Sequence, residues 1–147
     1  MTRNDDTRAV IADALAGNAY AVLATEGGGQ PHASFMAYAT LDEGRRLVFA
    51  TYRDTRKYRN LQHNARVALL VDGKAASGTR LAVTAVGRAV EVEASRREAA
   101  LAAHARAHPE LAEFAAASES ALFMVEVDWF ESAAGIDSVQ WWQVNED

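Results

Sequence analysis

The chain has 147 residues, of which 50% are hydrophobic and 24% charged, with a formal net charge of −5 at pH 7. These values predict one globular domain over residues 1–147 and disfavour nucleic-acid binding, which needs extended basic surfaces. The absence of cysteine excludes disulfides, thiolate catalysis and cysteine-ligated metal centres. No apolar run approaches the roughly 18 residues of a membrane span, so we expect no membrane contact and a cytoplasmic protein.

The first forty residues predict one helix and a β-hairpin. The helix is expected to stop at Gly17. Residues 20–25 and 31–40 read as paired strands, and the glycine-rich segment 26–30 reads as the hairpin tip. Its triple glycine lacks the G-x-G-x-x-G spacing of a dinucleotide site and precedes a strand. The apolar face of the helix consists of Val10, Ile11, Ala14 and Leu15.

The returning strand alternates from His32 to Thr40. Its two faces consist of Phe35, Ala37 and Ala39 on one side and Ser34, Met36, Tyr38 and Thr40 on the other. We expect Phe35 to belong to the core.

The central segment 47–72 predicts a strand, a short helix and a strand without a break. Residues 47–53 and 66–72 are rich in β-branched, aromatic and aliphatic side chains, which favours strands. Between them, Thr55 suits an N-cap and Asn64 suits a stop for about two turns of helix. The start of such a helix presents unpaired N–H groups and a partial positive charge, which together favour a phosphate.

Basic residues are concentrated around this predicted helix. The segment 45–66 contains a single acid, Asp54, although the whole chain is acidic. Because the first two helical residues would be Arg56 and Lys57, we interpret the helix start as a phosphate site. The alternative is a short exposed helix whose cations are only solvated. The basic residues are Arg45, Arg46, Arg53, Arg56, Lys57, Arg59 and Arg66.

Three motifs follow one another in this segment: the strand end 49–51 (FAT), the triplet 55–57 (TRK) and the run 64–70 (NARVALL). In this order they resemble the FMN-binding split barrels of the pyridoxamine 5′-phosphate oxidase-like family. The resemblance implies a mainly β fold with flanking helices, built on a six-stranded split β-barrel. It also implies a homodimer with the flavin site at the subunit interface, acting on a small molecule.

The same resemblance implies which residues hold the FMN. Around the ribityl-phosphate it places Thr51, Thr55, Arg56 and Lys57. For the rest of the cofactor site it implies Ser34, Met36, Ala37, Tyr38 and Ala50.

Three positions depart from the oxidases of this family. The resemblance implies an arginine, a lysine and a glutamine where this chain has Phe35, Thr40 and Ala82. Two positive charges and one polar contact near flavin and substrate are therefore missing. We do not expect oxidation of pyridoxamine 5′-phosphate itself, and no residue acquires a catalytic role from the sequence.

A loop is predicted at 72–78 and a strand at 81–93. Along this strand the apolar residues change from odd-numbered to even-numbered positions. The apolar residues are Leu81, Val83 and Ala85 at odd positions and Val90 and Val92 at even positions. Since a slip of one residue exchanges the faces of a strand, we expect a bulge near Gly87.

A helical region follows. The S-x-x-E capping box at 95–98 opens a helix that reaches about His108, and residues 110–117 predict a second short helix. His104 and His108 stand four residues apart and could ligate a metal or a haem. No acid in H-E-x-x-H spacing and no cysteine accompanies them, so we expect no metal site.

The last strands are predicted at 121–130 and 138–144, with a turn at 132–136. The apolar face of the first consists of Phe123, Val125, Val127 and Trp129. Trp141 and Trp142 are expected either to close over a flavin or to pack at a dimer interface, and we favour the interface.

Three functions are open at this point. The first is a homodimeric FMN-dependent oxidoreductase that acts on an unknown small molecule. The second is a flavin-binding or haem-binding module without turnover, suggested by the missing polar contacts. The third is a reductase with a deazaflavin coenzyme, whose anionic tail would suit the basic segment. A structural barrel with solvated cations is the remaining alternative.

Overall fold

The computed structural model describes residues 3–74, 78–136 and 138–144. The helices in these residues are α1 (Arg3–Ala16), α2 (Arg56–His63), α3 (Ala94–Ala107) and α4 (Ala112–Ala116). The strands are β1 (Tyr20–Gly27), β2 (Gln30–Ala37), β3 (Ala39–Leu41), β4 (Arg46–Tyr52), β5 (Arg66–Lys74), β6 (Arg80–Glu91), β7 (Ser120–Gly135) and β8 (Ser138–Gln143). No helix of this described part is long and apolar enough to cross a membrane.

The strands form one antiparallel sheet that curls into a split barrel. Their order is β2-β1-β5-β6-β7-β4-β3, and β8 pairs with β7. The two ends of this order, β2 and β3, are consecutive in the chain and are joined by Tyr38. At this bend the N–H of Tyr38 donates to the carbonyl of Ala19 at 3.1 Å. The predicted fold class, mainly β with flanking helices, is confirmed.

The described sheet has eight strands rather than the six of the predicted barrel. The single strand predicted at 31–40 is divided at Tyr38 into β2 and β3. The segment at 138–144, predicted as a short strand or tail, pairs with β7 as β8. The two additional strands are therefore short ones at the margins of the barrel.

Two predicted connections are shorter than expected. The turn predicted at 132–136 is wrong, because β7 continues to Gly135 and pairs there with β8. The loop predicted at 72–78 starts later, since β5 runs to Lys74. Residues 75–77 of that loop lie outside the described part of the chain.

The hydrophobic interior consists of two clusters that share β4. Leu47 and Phe49 belong to the cluster inside the barrel, and Val48 and Ala50 to a second cluster beneath α3 and α4. Phe49 stacks on Phe123 with ring centroids 5.4 Å apart. Because both faces of β4 are covered, its sequence is continuously apolar instead of alternating.

The bulge predicted near Gly87 is present, but the extra residue belongs to the neighbouring strand. The register shifts at Gly87, opposite Asp128 of β7. The buried side chains of β6 therefore stay at odd-numbered positions along its length, and Val90 is 51% exposed instead of buried. It is β7 that changes faces, which is why Phe130 rather than Trp129 enters the core.

The two neighbouring tryptophans of β8 have different environments. Trp142 is fully buried and stacks on Phe130 at 5.1 Å, whereas Trp141 is 59% exposed on the outer face. The guanidinium of Arg8 on α1 lies 5.6 Å from the Trp142 ring. Because strand side chains alternate between faces, the expectation that both tryptophans meet a flavin or a partner subunit is wrong for Trp142.

Phe35 also differs from its predicted position. Its side chain is 73% exposed, while Met36 and Tyr38 point inward and are buried. On the outer face Phe35 stacks on Tyr20 with centroids 5.4 Å apart. The expectation that Phe35 belongs to the core is therefore wrong.

The two predicted helix starts have different outcomes. Thr55 caps α2 as predicted, because its hydroxyl accepts the N–H of Tyr58 at 3.1 Å. α3 begins after Glu93 without a side-chain cap, so the predicted capping box at 95–98 does not form. The second short helix is present as α4, preceded by a 3₁₀ turn at 109–111.

We expect Gly87→Ala to destabilise the fold by about 1–3 kcal/mol, the usual cost of overpacking. A Cβ at Gly87 would lie 2.1 Å from the carbonyl oxygen of Glu126, which belongs to the backbone. Urea unfolding measures the change. The matched control is Gly135→Ala on the same sheet, where a Cβ meets nothing within 4 Å. Equal stability of the two variants would contradict the assigned bulge.

Candidate cofactor-binding site

The start of α2 is fixed to the end of β4 by threonine hydroxyls. Thr55 Oγ1 accepts the Tyr58 N–H and donates to the carbonyl of Tyr52 at 3.0 Å. Thr51 Oγ1 lies 3.2 Å from Thr55 Oγ1. The capping hydroxyl therefore ties the helix start to the strand that precedes it.

The other end of α2 is fastened to the tip of the β1–β2 hairpin. Asn60 Nδ2 donates to Thr25 Oγ1 at 3.0 Å, and Asn64 Nδ2 donates to Glu26 Oε1 at 2.8 Å. This bond, with one from a backbone N–H, lowers the pKa of Glu26. Gly27 is required by the close approach, since a Cβ there would lie 2.2 Å from Asn60 Oδ1. α2 is therefore held at both ends.

Several cations around α2 have carboxylate partners. Arg46 pairs with Glu126 at 2.9 Å, Arg53 with Glu91 at 3.1 Å, and Arg59 with Asp54 at 3.4 Å. These pairs neutralise much of the basic segment that the sequence shows.

Arg56 and Lys57, the first two residues of α2, differ from them. Within the described residues, neither side chain has a carboxylate partner and neither backbone N–H has an acceptor. Burial lowers the pKa of Lys57, because removal from water disfavours its charged form. A phosphate at this helix start would satisfy the N–H groups and both cations.

A cavity of about 190 Å³ lies beside this helix start, in the seam between β2 and β4. Its lining residues are Phe35, Met36, Ala37, Ala50, Thr51, Tyr52, Thr55, Lys57, His104, Leu111 and Phe114. Polar side chains from β4 and α2 line one part, and largely apolar side chains from β2, α3 and α4 line the other. This arrangement can receive an anionic group at one end and a flat apolar group at the other.

The structure brings most of the predicted site residues to this cavity. Those that line it are Met36, Ala37, Ala50, Thr51, Thr55 and Lys57. Arg56 is exposed at the first position of α2. The hydroxyl of Ser34 is buried without a hydrogen-bond partner, but Ser34 does not line the cavity.

Tyr38 is also absent from the cavity wall. Its phenol lies in the core and donates to the carbonyl of Leu15 at 2.7 Å. Burial raises the pKa of this phenol well above its usual value.

The cavity wall formed by α3 and α4 was not predicted. It contributes His104, Leu111 and Phe114. The i, i+4 spacing of His104 and His108 is visible in the sequence, but it does not reveal which strands α3 covers. No group of three or more potential metal-ligating side chains occurs in residues 3–74, 78–136 and 138–144.

The two histidines of α3 have different hydrogen bonding. His108 Nε2 donates to the carbonyl of Tyr38 at 2.8 Å, so this ring is fixed at the bend between β2 and β3. His104 is 1% exposed, and its Nδ1 is buried without a partner. Burial, with a smaller contribution from His108, lowers the pKa of His104. The lowered pKa therefore favours the neutral form of the His104 imidazole.

A split barrel with a capped helix start beside a cavity at its seam defines the class of protein to which this chain belongs. The family model described as pyridoxamine 5′-phosphate oxidase matches residues 7–133. The chain is a member of this family. No curated protein is significantly similar to it in sequence.

Solved structures with the same fold share little sequence with this chain. A haem-binding protein from Mycobacterium smegmatis has a TM-score of 0.81 at 24% identity, covering 92% of this chain and 57% of its own. An FAD-binding protein from Mesorhizobium loti has a TM-score of 0.69 at 18% identity, covering 90% and 94%. General stress protein 26 from Bacillus anthracis has a TM-score of 0.70 at 17% identity, covering 94% and 98%. At these sequence identities the structural similarity establishes the fold alone. This chain spans little more than half of the length of the mycobacterial protein.

We expect the free energy of unfolding to fall as the pH drops below about 6.5, the pKa of a histidine in an unfolded chain. Unfolded His104 binds a proton there, whereas the buried ring, with its lowered pKa, does not. Urea unfolding of wild type and His104→Leu between pH 7 and pH 5 measures the effect, and the variant should lose less stability over this range. The control is His63→Gln on α2, which replaces an exposed histidine. Parallel pH profiles of wild type and His104→Leu would contradict the assignment.

Proposed function

We propose that this protein binds FMN in the seam between β2 and β4 and is a flavin-dependent oxidoreductase acting on a small molecule. The observation that carries the proposal is the pair Arg56 and Lys57, which have no carboxylate partner in the described chain and begin a capped helix at the cavity. Membership of the pyridoxamine 5′-phosphate oxidase family supports it.

The residues of the cavity fit the parts of FMN. The phosphate suits the N–H groups and cations of Arg56 and Lys57 at the start of α2. The hydroxyls of Thr51 and Thr55 suit the ribityl chain, and the apolar wall suits the ring. A half-buried lysine with a lowered pKa and no counter-ion is itself a reason to expect an anion at this place.

FMN supplies the transfer of electrons, while the chain binds the cofactor, orients it and excludes water. The substrate is expected to differ from pyridoxamine 5′-phosphate, since Phe35, Thr40 and Ala82 stand where the resemblance implies charged or polar contacts. Phe35, which lines the cavity, is an aromatic residue and not a cation. A substrate with little negative charge fits this wall best.

The cavity is small for a cofactor of the size of FMN. Its volume of about 190 Å³ is below the roughly 300–1,000 Å³ of sites for ligands of this kind. Beside it an apolar row crosses the outer face of the sheet, because Phe35, Val22 and Leu70 pair in register. All three are at least 36% exposed. Trp141 on β8 is exposed in the same register row, but Thr84 and Glu131 separate it from Leu70.

We propose that a second copy of the chain covers this face and that the flavin site lies at the resulting interface. A contiguous row of exposed apolar side chains on one face is a feature of interaction surfaces. A partner copy would then supply the missing wall of the cavity.

Haem is the second candidate ligand. His104 at the cavity wall has a buried nitrogen without a partner, and an imidazole is a common haem ligand. The small cavity disfavours it. A deazaflavin coenzyme is the third candidate and would use the same cations. These two alternatives, and a flavin-binding module without turnover, would have the same fold and the same phosphate end of the site as the proposed oxidoreductase.

We expect Arg56→Ala and Lys57→Ala each to weaken FMN binding by roughly 1.5–3 kcal/mol, the value of a hydrogen bond to a charged group. Fluorescence titration with FMN measures this. The matched control is Arg66→Ala, an exposed arginine on β5 whose side chain is outside the cavity. If the wild-type protein binds haem or a deazaflavin more tightly than FMN, the proposed cofactor is wrong. FMN affinity unchanged in both variants would refute the site.

We expect Leu70→Asp to convert the dimer to a monomer and to weaken FMN binding, because it places a charge in the centre of the apolar face. Analytical ultracentrifugation at micromolar concentration measures the change. Val90→Asp is the control, since Val90 is similarly exposed on β6 but lies outside the row. A monomeric wild type would refute the proposed interface.

A further inference from the structure

His104 is a polar residue of the cavity wall that the proposed phosphate site does not use. Within the described residues, the other members of β2, α4 and the 3₁₀ turn at 109–111 that line the cavity are apolar: Phe35, Met36, Ala37, Leu111 and Phe114. The cationic and hydroxyl groups of the cavity belong to β4 and α2 instead. A polar group in this wall is therefore an exception that needs a partner.

No partner is supplied by the described part of the chain. His104 is 1% exposed, and its Nδ1 has no hydrogen bond. Buried polar atoms are paired in most proteins, and an unpaired one at a cavity points to a missing ligand. The cavity beside His104 is the place from which such a partner can come.

The ring is held in place by its neighbours. The His108 ring lies 5.3 Å away and is fixed by its bond to the Tyr38 carbonyl. Tyr20 packs against His108 at 5.6 Å on its other side. His104 therefore offers hydrogen-bonding atoms in a fixed position, and a neutral imidazole has one donor and one acceptor.

We propose that His104 hydrogen-bonds the ring system of the bound flavin and thereby positions it in the seam. This inference rests on the proposed function. The polar edge of a flavin ring carries both carbonyl acceptors and an N–H donor, which a neutral imidazole can match. Ring recognition would then lie on α3 and phosphate recognition on α2, in two separate parts of the cavity.

The test measures the dissociation constants of FMN and riboflavin for wild type, His104→Leu, His104→Asn and His104→Gln. Riboflavin lacks the phosphate but has the same ring. His104→Leu should weaken both ligands equally, by roughly 3- to 10-fold, the value of one hydrogen bond. Asn or Gln should restore part of the loss. Arg56→Ala should weaken FMN alone.

A second readout needs no variant. The ¹⁵N resonances of the His104 ring in the wild-type protein should shift when FMN is added, whereas a purely structural histidine should not respond. If wild type binds FMN while His104→Leu keeps both affinities and the resonances stay unchanged, His104 has no such role and the proposed function stands. If wild type does not bind FMN, the proposed function and the role of His104 both fall.

Discussion

Three hydrogen bonds meet at Tyr38, where β2 bends into β3. Its N–H donates to Ala19, its phenol donates to Leu15 at the end of α1, and its carbonyl accepts from His108 after α3. This bend joins the two ends of the sheet, so that a linear order of strands becomes a split barrel. The seam beside β4, and with it the cavity, exists because this turn in the chain is held from three sides.

The cations around the seam differ in whether they have a carboxylate partner. The arginines next to α2 are largely engaged by carboxylates, as in the pairs of Arg53 with Glu91 and Arg59 with Asp54. Exposed pairs of this kind add little stability. Arg56 and Lys57, at a helix start that favours an anion, have no carboxylate partner in the described chain.

Features determined by a few neighbouring residues could be predicted from the sequence. The Thr55 cap, the extent of α2 and the position of the bulge depend on local patterns, and the structure contains all three. The strand that carries the extra residue at the bulge could not be predicted, because pairing decides it. The exposure of Phe35 could not be predicted either. Phe35 faces away from the barrel, and only the assembled sheet determines which face of its strand is inside. His104 reaches the cavity through the packing of α3 over β3 and β4, a contact between distant parts of the chain.

The cavity is polar at one end and largely apolar at the other, and this asymmetry limits its ligands. A ligand with charge at both ends would place a charge against Met36 and Phe114, where the described chain offers no counter-ion. A ligand with one terminal phosphate and a flat neutral ring would place the phosphate at the polar end of the cavity and the ring at the apolar end. In the proposed site, the lowered pKa of His104 favours an uncharged imidazole, which can satisfy a polar ring edge without requiring a second anion. In the proposed site, the absence of charged contacts at Phe35 and Thr40 is compatible with FMN binding, because the phosphate would be held by Arg56 and Lys57 at the start of α2.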